Sequence, residues 1–187
     1  MPYRNLRTTP HQNMNTAPRQ NMKLYHLLAQ EVARDTRFSV AVHGLMLISQ
    51  ASAADSPITS ARIATSTEVN ASYVRKVMAG LVQSGIVTSR SGSQGYEMAM
   101  APRDATLLAI HDAACGEPLR VMDLHRNPND DCIVGRHITP VLSEVMAHAE
   151  DALRCALASQ SLHDCIGSMR ARLHPDEIAQ LKPGGNE

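Results

Sequence analysis

From Arg37 to Gln50 the chain reads RFSVAVHGLMLISQ, apolar on most sides, as expected of a buried first helix. Ser56-Pro57 closes the connection after it. A short strand-like ITS then leads into SARIATSTE, which reads as a second helix with Ser60 at its N-cap. After a turn at Val69, Asn70 is placed to cap a third helix, ASYVRKVMAGLVQS, in which Val74, Val77, Met78, Leu81 and Val82 recur at spacings of three and four. Gly85 supplies its left-handed stop. The period changes after that point: IVTSR and GYEMAM are strand-like runs joined by Ser91-Gly92-Ser93-Gln94, which predicts a hairpin with glycine in the turn.

Beyond Pro102, DATLLAIHDAAC predicts a short amphipathic helix stopped at Gly116-Glu117-Pro118, and LHRNPNDDCIVGRH is polar and turn-rich. Thr139-Pro140 reads as a helix start, because threonine caps free amides and proline at the first position lacks the amide that would be orphaned there. The helix expected from that point carries Leu142, Val145, Met146, Ala149, Ala152, Leu153, Ala156 and Leu157 on one face, an association seam over about four turns. SLHDCIGSMRARL adds a short helix. Residues 1–22, rich in Asn, Gln, Thr, Pro and Arg without periodicity, predict a disordered arm, and Met22 is an alternative start. The order helix, turn, helix, hairpin is that of a winged helix-turn-helix. The predicted architecture is therefore mainly α: a winged helix-turn-helix over 23–103 with a small two-stranded wing, a linker helix and loop over 104–138, and a long dimerisation helix with a tail over 139–187.

Charge sharpens this picture only through its distribution. The 18 basic and 18 acidic residues cancel, but the first 103 residues carry a net +6 and the remainder −6, and a basic first half suits a polyanion. Neither a membrane span nor the apolar core of a signal peptide is evident, so a cytoplasmic protein without a membrane partner is expected. One Phe, four Tyr and no Trp leave the core to aliphatic residues, which suits packed helices. Cys115, Cys132, Cys155 and Cys165 have no CxxC spacing, and a disulfide scaffold is not expected in a reducing compartment. No G-x-S-x-G, phosphate-cradling glycine loop or histidine paired to a nucleophile is present, which argues against an enzyme and leaves the catalytic set empty.

A recognition helix presents the side chains of its first turns to base edges in the major groove. Here those are Ser72, Tyr73, Arg75 and Lys76, with Ser60 and Arg62 on the preceding helix completing the expected set. Arg90 precedes the tip formed by Ser91, Gly92, Gln94 and Gly95, where a wing meets phosphates or the minor groove, and Tyr96 closes it. The partners so predicted are double-stranded operator DNA and a second copy of the chain, joined through Leu142, Val145, Met146, Ala149, Leu153, Ala156 and Leu157.

Over residues 37–168 these runs resemble the Rrf2 family of bacterial transcription regulators, of the IscR/NsrR type. In that family a Ser-x-Tyr-Leu recognition helix leads through Gly-Leu-Val to an Arg-Gly-x-x-Gly-Gly-Tyr wing. This chain has Ser72-Tyr73-Val74, Gly85-Ile86-Val87 and Arg90 through Tyr96, with Ser91 and Gln94 in place of two glycines. Well-known members hold an iron–sulfur cluster on three cysteines, whereas between Gly116 and Thr139 this chain has only Cys132. One thiolate cannot hold a cluster that needs three or four protein ligands, so no cofactor is expected. Asn127 through Gly135 instead resembles the loop of the YwnA-like branch without the cluster, some of whose relatives sense oxidants or electrophiles through a thiol. The resemblance implies a homodimeric repressor with Cys132 as its thiol sensor and Cys165 as a weaker resolving thiol. Arg136, His137 and the following helix start would favour a Cys132 thiolate, and Asp130 and Asp131 would oppose it. Cys155 is expected in core packing. His125, Cys132 and His137 match no tight metal motif, so no metal site is assigned. The alternative reading is a winged-helix repressor or interaction module that responds to a small ligand or metal, or senses nothing.

Overall fold

The computed structural model describes residues 35–50, 57–90 and 95–178. In chain order the elements are α1 (Arg37–Gln50), α2 (Ser60–Thr67), α3 (Ala71–Gln83), β1 (Val87–Ser89), β2 (Tyr96–Met98), α4 (Leu107–Cys115), α5 (Ile133–Ala158), α6 (Leu162–Arg170) and α7 (Pro175–Ile178). The predicted arm, the Ser56-Pro57 boundary and the wing tip from Ser91 to Gln94 lie at least partly outside the described residues.

The α1–α3 order follows from burial at helical spacing. Val40, Ala41, Gly44, Leu45 and Ile48 form the inner face of α1, and Val74, Val77, Met78 and Leu81 that of α3. Ile63 of α2, Ile86 and Val87 beside the wing, and Leu107 and Ile110 of α4 complete the same core. Leu162 and Ile166 of α6 enter it as well. The end of α5 is brought back to the start of α4, where the Leu107 amide donates to the Gln160 carbonyl at 2.8 Å and the Leu162 amide to that of Ala105 at 2.9 Å. Ser161 and Asp164 then start α6 with a reciprocal capping box.

Three local expectations need correction. The N-cap of α2 is Thr59, not Ser60: Thr59 is extended, at φ −89° and ψ 165°, and its hydroxyl accepts the Arg62 amide. The run Ile58-Thr59-Ser60 is not a strand, although the Ile58 carbonyl accepts the Tyr96 amide at 2.9 Å and so joins the edge of the wing. The long helix starts at Ile133 rather than at Thr139-Pro140, and Pro140 is internal to it. An Asx turn builds this earlier start. Asn129 Oδ1 accepts the Asp131 amide at 2.9 Å, the Asn129 carbonyl accepts that of Cys132 at 3.2 Å, and Arg136 Nε donates to the Asp130 carbonyl at 3.0 Å. The proline removes the amide that would bond the Arg136 carbonyl, and Arg136 is at the solvent-exposed surface, where that loss costs less than in a buried helix.

Helix α3 crosses α4 at Gly80. A Cβ there would fall inside the van der Waals envelope of the Ala113 carbonyl oxygen, so the glycine allows α3 to sit against α4. Gly80→Ala should therefore destabilise the fold by about 1–3 kcal/mol, opposite in sign to the usual gain of about 0.5–1 kcal/mol for this change inside a helix. Urea unfolding of the two proteins reads the sign directly, and a stabilised variant would mean that the crossing relaxes without cost.

Candidate nucleic-acid interface and the Cys132 loop

The turn between α2 and α3 is short because Glu68 adopts the left-handed conformation, at φ 54°, while its amide still donates to the Ala64 carbonyl. Asn70 then caps α3. Its Oδ1 accepts both the Ser72 amide at 2.8 Å and the Ser72 hydroxyl at 2.7 Å. Tyr73 is half-buried against the core, and its hydroxyl lies 3.0 Å from Thr36 Oγ1. Arg75 and Lys76 project from the exposed side of the same turns, Arg62 is exposed on α2, and Ser60 is half-buried. Ser72 and Tyr73 thus fix the entry of the helix, while Arg75 and Lys76 present charge outward.

The wing pairs β1 with β2 antiparallel, in the register Val87↔Met98, Thr88↔Glu97 and Ser89↔Tyr96. Val87 faces the core and Thr88 and Glu97 face solvent, as the two-residue period of a strand requires. Gly95 is at φ 75°, and a Cβ there would meet the Ile58 carbonyl, so only glycine lets the returning strand lie against residue 58. The Arg90 amide donates to the Gly95 carbonyl at 3.0 Å. The Tyr96 phenol is held above its usual pKa by burial, an effect that the nearby Arg75 guanidinium opposes, so the recognition helix and the base of the wing are electrostatic neighbours. The Arg90 guanidinium forms an ion pair with Glu97 at 2.7 Å. Glu97 and Thr36 are the participants that sequence reasoning missed. The register that sets Thr88 against Glu97 puts Arg90 diagonal to it, a signal readable once the hairpin tip is assigned four residues.

The four cysteines occupy different environments. Cys115 is buried, Cys165 is half-buried, and Cys132 and Cys155 are exposed. The expectation of core packing for Cys155 is incorrect, because its position on α5 turns it to solvent. Cys132 is the N-cap of α5 and makes no capping hydrogen bond through its side chain. The backbone amides of Gly135 and then of Val134 nevertheless lie where they lower its thiol pKa. A helix start does supply that effect, but it is the earlier one at Ile133 and not the expected one at Thr139-Pro140, and the anticipated help from Arg136 is diverted to the Asp130 carbonyl. The Cys165 thiol is pushed up by burial and then by Asp164, which disfavours it as a reactive partner.

A family model described as "Iron-dependent Transcriptional regulator", Rrf2, matches residues 34–168. The chain belongs to the Rrf2 family. It is 33% identical over 135 residues to YwnA of Bacillus subtilis, which is named as an HTH-type transcriptional regulator, a match that spans 72% of this chain and 98% of YwnA. A crystal structure described as that of a DNA-binding protein superposes with a TM-score of 0.55 at 32% identity, covering 70% of this chain and 98% of that one. The IscR of T. potens gives 0.55 at 20% identity, covering 81% and 98%. The Rrf2 chain is accordingly a DNA-binding transcription regulator with a winged-helix fold, and not an enzyme. The iron in the family description finds no matching donor set here: Cys132 is the one cysteine between α4 and α5, and among the described residues no three His, Cys, Asp or Glu side chains gather. An iron–sulfur centre needs such a gathering. No helix among the described residues is long and apolar enough to cross a membrane.

Because thiolates are the reactive form, the alkylation rate of Cys132 with iodoacetamide should rise at lower pH than that of Cys165, whose folded pKa is shifted the other way. Peptide mass spectrometry over a pH series measures both sites in one sample. The reverse order would remove the role assigned to the Gly135 and Val134 amides.

Proposed function

We propose that this Rrf2 protein is a cytoplasmic, homodimeric repressor that reads an operator with α3 and the wing and responds to oxidants or electrophiles through Cys132. The carrying observation is the shared surface of Arg75 and Lys76, on the exposed side of a helix fixed by Asn70 and Tyr73, with the wing base beside Arg75. In this reading Arg75 and Lys76 reach base edges and adjacent phosphates, Arg62 and Arg90 contact the backbone, Ser60 and Ser72 contribute hydroxyl and backbone positioning, and the tip of Ser91, Gly92, Gln94 and Gly95 approaches the neighbouring groove.

Association is assigned to α5, which has no buried residue along its 26 residues. Val134, Val141, Val145, Ala152 and Ala156 recur along its exposed side, and Val141 and Val145 are each more than half exposed. Leu142, Met146 and Ala149 are half-buried beside this row, Leu157 packs on the protein's own core, and Leu153 is exposed at the margin. An apolar row of this length on a soluble helix favours a second copy across a two-fold axis. Two recognition helices then enter successive major grooves about 34–36 Å apart. Val145→Asp should convert the dimer to monomer in sedimentation and abolish two-fold protection of DNA. A variant that sediments as an unaltered dimer would move the association surface elsewhere.

Cys132 stands where the loop from α4 enters that helix. The loop is tied to α5 by the Val121 amide and Glu150 carboxylate at 3.4 Å, and α4 is tied to it by Asp112 and Arg154 at 3.8 Å. Attack of the Cys132 thiolate on peroxide breaks the O–O bond, leaves a sulfenic acid and releases water after proton uptake. Such a change at the helix start would reorient α5 against the winged domain, and a coupling of ordinary size alters operator affinity roughly 5- to 150-fold. DNase footprinting on a duplex enriched by the protein from a random pool tests the whole reading. The reduced wild type should give a two-fold symmetric footprint that peroxide removes and a thiol reductant restores. Cys132→Ser should give the same footprint and ignore peroxide. Sensitivity that survives in Cys132→Ser would exclude this cysteine as the sensor.

A further inference from the structure

The guanidinium at the entrance to the wing tip is already engaged. Arg90 Nη2 lies 2.7 Å from Glu97 Oε2, with both side chains about half exposed, at 55% and 49%. The backbone beneath the pair is fastened on both strands, by the Arg90 amide on the Gly95 carbonyl and the Tyr96 amide on the Ile58 carbonyl. Exchange of partners at Arg90 is therefore a side-chain rotation and requires no movement of the wing. A paired guanidinium adds almost nothing to the long-range attraction that drives sequence-independent binding to a polyanion. An ion pair this exposed is also weak, so a phosphate delivered within hydrogen-bond reach displaces the carboxylate.

We propose that Glu97 sets the affinity of the DNA-binding surface: it holds Arg90 back from loosely placed phosphates and yields it, at a cost to binding, to the phosphate that a seated recognition helix brings to the wing. The inference rests on the reading of Arg90 as a phosphate contact. In a loose complex on random sequence no phosphate is fixed at the wing, and Arg90 stays with Glu97. On the operator, Arg75 and Lys76 hold the helix in register and the exchange occurs. Removal of the carboxylate gives random DNA a phosphate contact it lacked and spares the operator complex the cost of breaking the pair, so the operator gains at least as much as random DNA does.

Fluorescence anisotropy over a salt series, on a random-sequence duplex and on a duplex enriched by the full-length protein from a random pool, tests this with wild type, Glu97→Gln, Arg90→Gln and the double variant. Glu97→Gln should bind the random duplex about three- to fivefold tighter, with a salt slope steeper by roughly 0.9, the contribution of one phosphate. The enriched duplex should gain at least as much but with little change of salt slope, because Arg90 already contacts its phosphate there in the wild type, and Glu97→Gln should have much less effect where Arg90 is already Gln. An equal gain in both backgrounds would make Glu97 a general repulsive charge and overturn the proposal. Unchanged random-DNA binding in Glu97→Gln, with Arg90→Gln weakening both duplexes, also overturns it and leaves the phosphate role of Arg90 standing. Arg90→Gln without effect on either duplex would remove that role itself. A Glu97→Gln variant that binds more weakly and melts at lower temperature would reduce the pair to a brace of the hairpin, which overturns the proposal as well.

Discussion

The inner row of α3 is the interaction on which the rest depends. Val74, Val77, Met78 and Leu81 are all essentially removed from solvent, so the helix has a single rotational setting in which its apolar stripe is satisfied. That setting points Arg75 and Lys76 outward. Rotation by one residue position would expose about 100° of apolar stripe and bury a cation, which the core could not compensate. The geometry of the DNA-facing surface is thus an outcome of core packing, fixed before any DNA is present. Gly80 belongs to the same constraint, because the close crossing with α4 sets how deeply the helix sits.

Polar contacts then refine what packing has set. Asn70 holds the Ser72 amide and hydroxyl, and the half-buried Tyr73 reaches Thr36 at the start of α1. Residues with the appearance of DNA ligands in a motif therefore have structural duties at the helix entry, and the outward charges next to them gain a rigid base. The wing follows the same logic. Its Gly95 and Tyr96 lie against Ile58, leaving the exposed face to Arg90 and Glu97.

The sequence was most legible where hydrophobic period and turn chemistry agree. The bounds of α1 and the start of α3 at Asn70 follow from apolar spacing and an Asx cap, and the stop at Gly85, φ 74°, from a conformation that glycine alone adopts without cost. It was least legible where two local rules compete. Thr139-Pro140 has the chemistry of a helix start, yet a better start exists upstream in the Asn129 turn, and proline at an exposed site in the helix costs less than the hydrogen bonds gained over the seven residues before it. Thr59 and Ser60 are both competent caps, and only the backbone angles decide between them. Cys155 was misplaced for a related reason: the apolar positions of α5 span a broad sector, part against the protein's own core and part exposed, and an a/d reading compresses them into one seam.

Under the proposed function, that broad sector also makes the long helix the natural site of control. A helix buried on every side would report nothing to its surroundings, and one free on every side would not persist at this length without support. Helix α5 has partial support on one flank, through Leu157, the Arg154–Asp112 pair and the Glu150 contact with the loop, and an unpartnered apolar row on the other. Its first turn is held by backbone contacts from Asn129 and Asp130 around an exposed thiol whose anion the helix amides favour. Under that proposal, a chemical change at Cys132 would act on the loop end of an element whose opposite end, through Ser161 and Leu162, is bonded into the core of the winged domain. The lever so proposed is anchored beside the start of α4 and adjustable at the loop. In the proposed dimer, this arrangement would let a small local event bias the spacing of two DNA-reading surfaces without disturbing the packing that shapes each one.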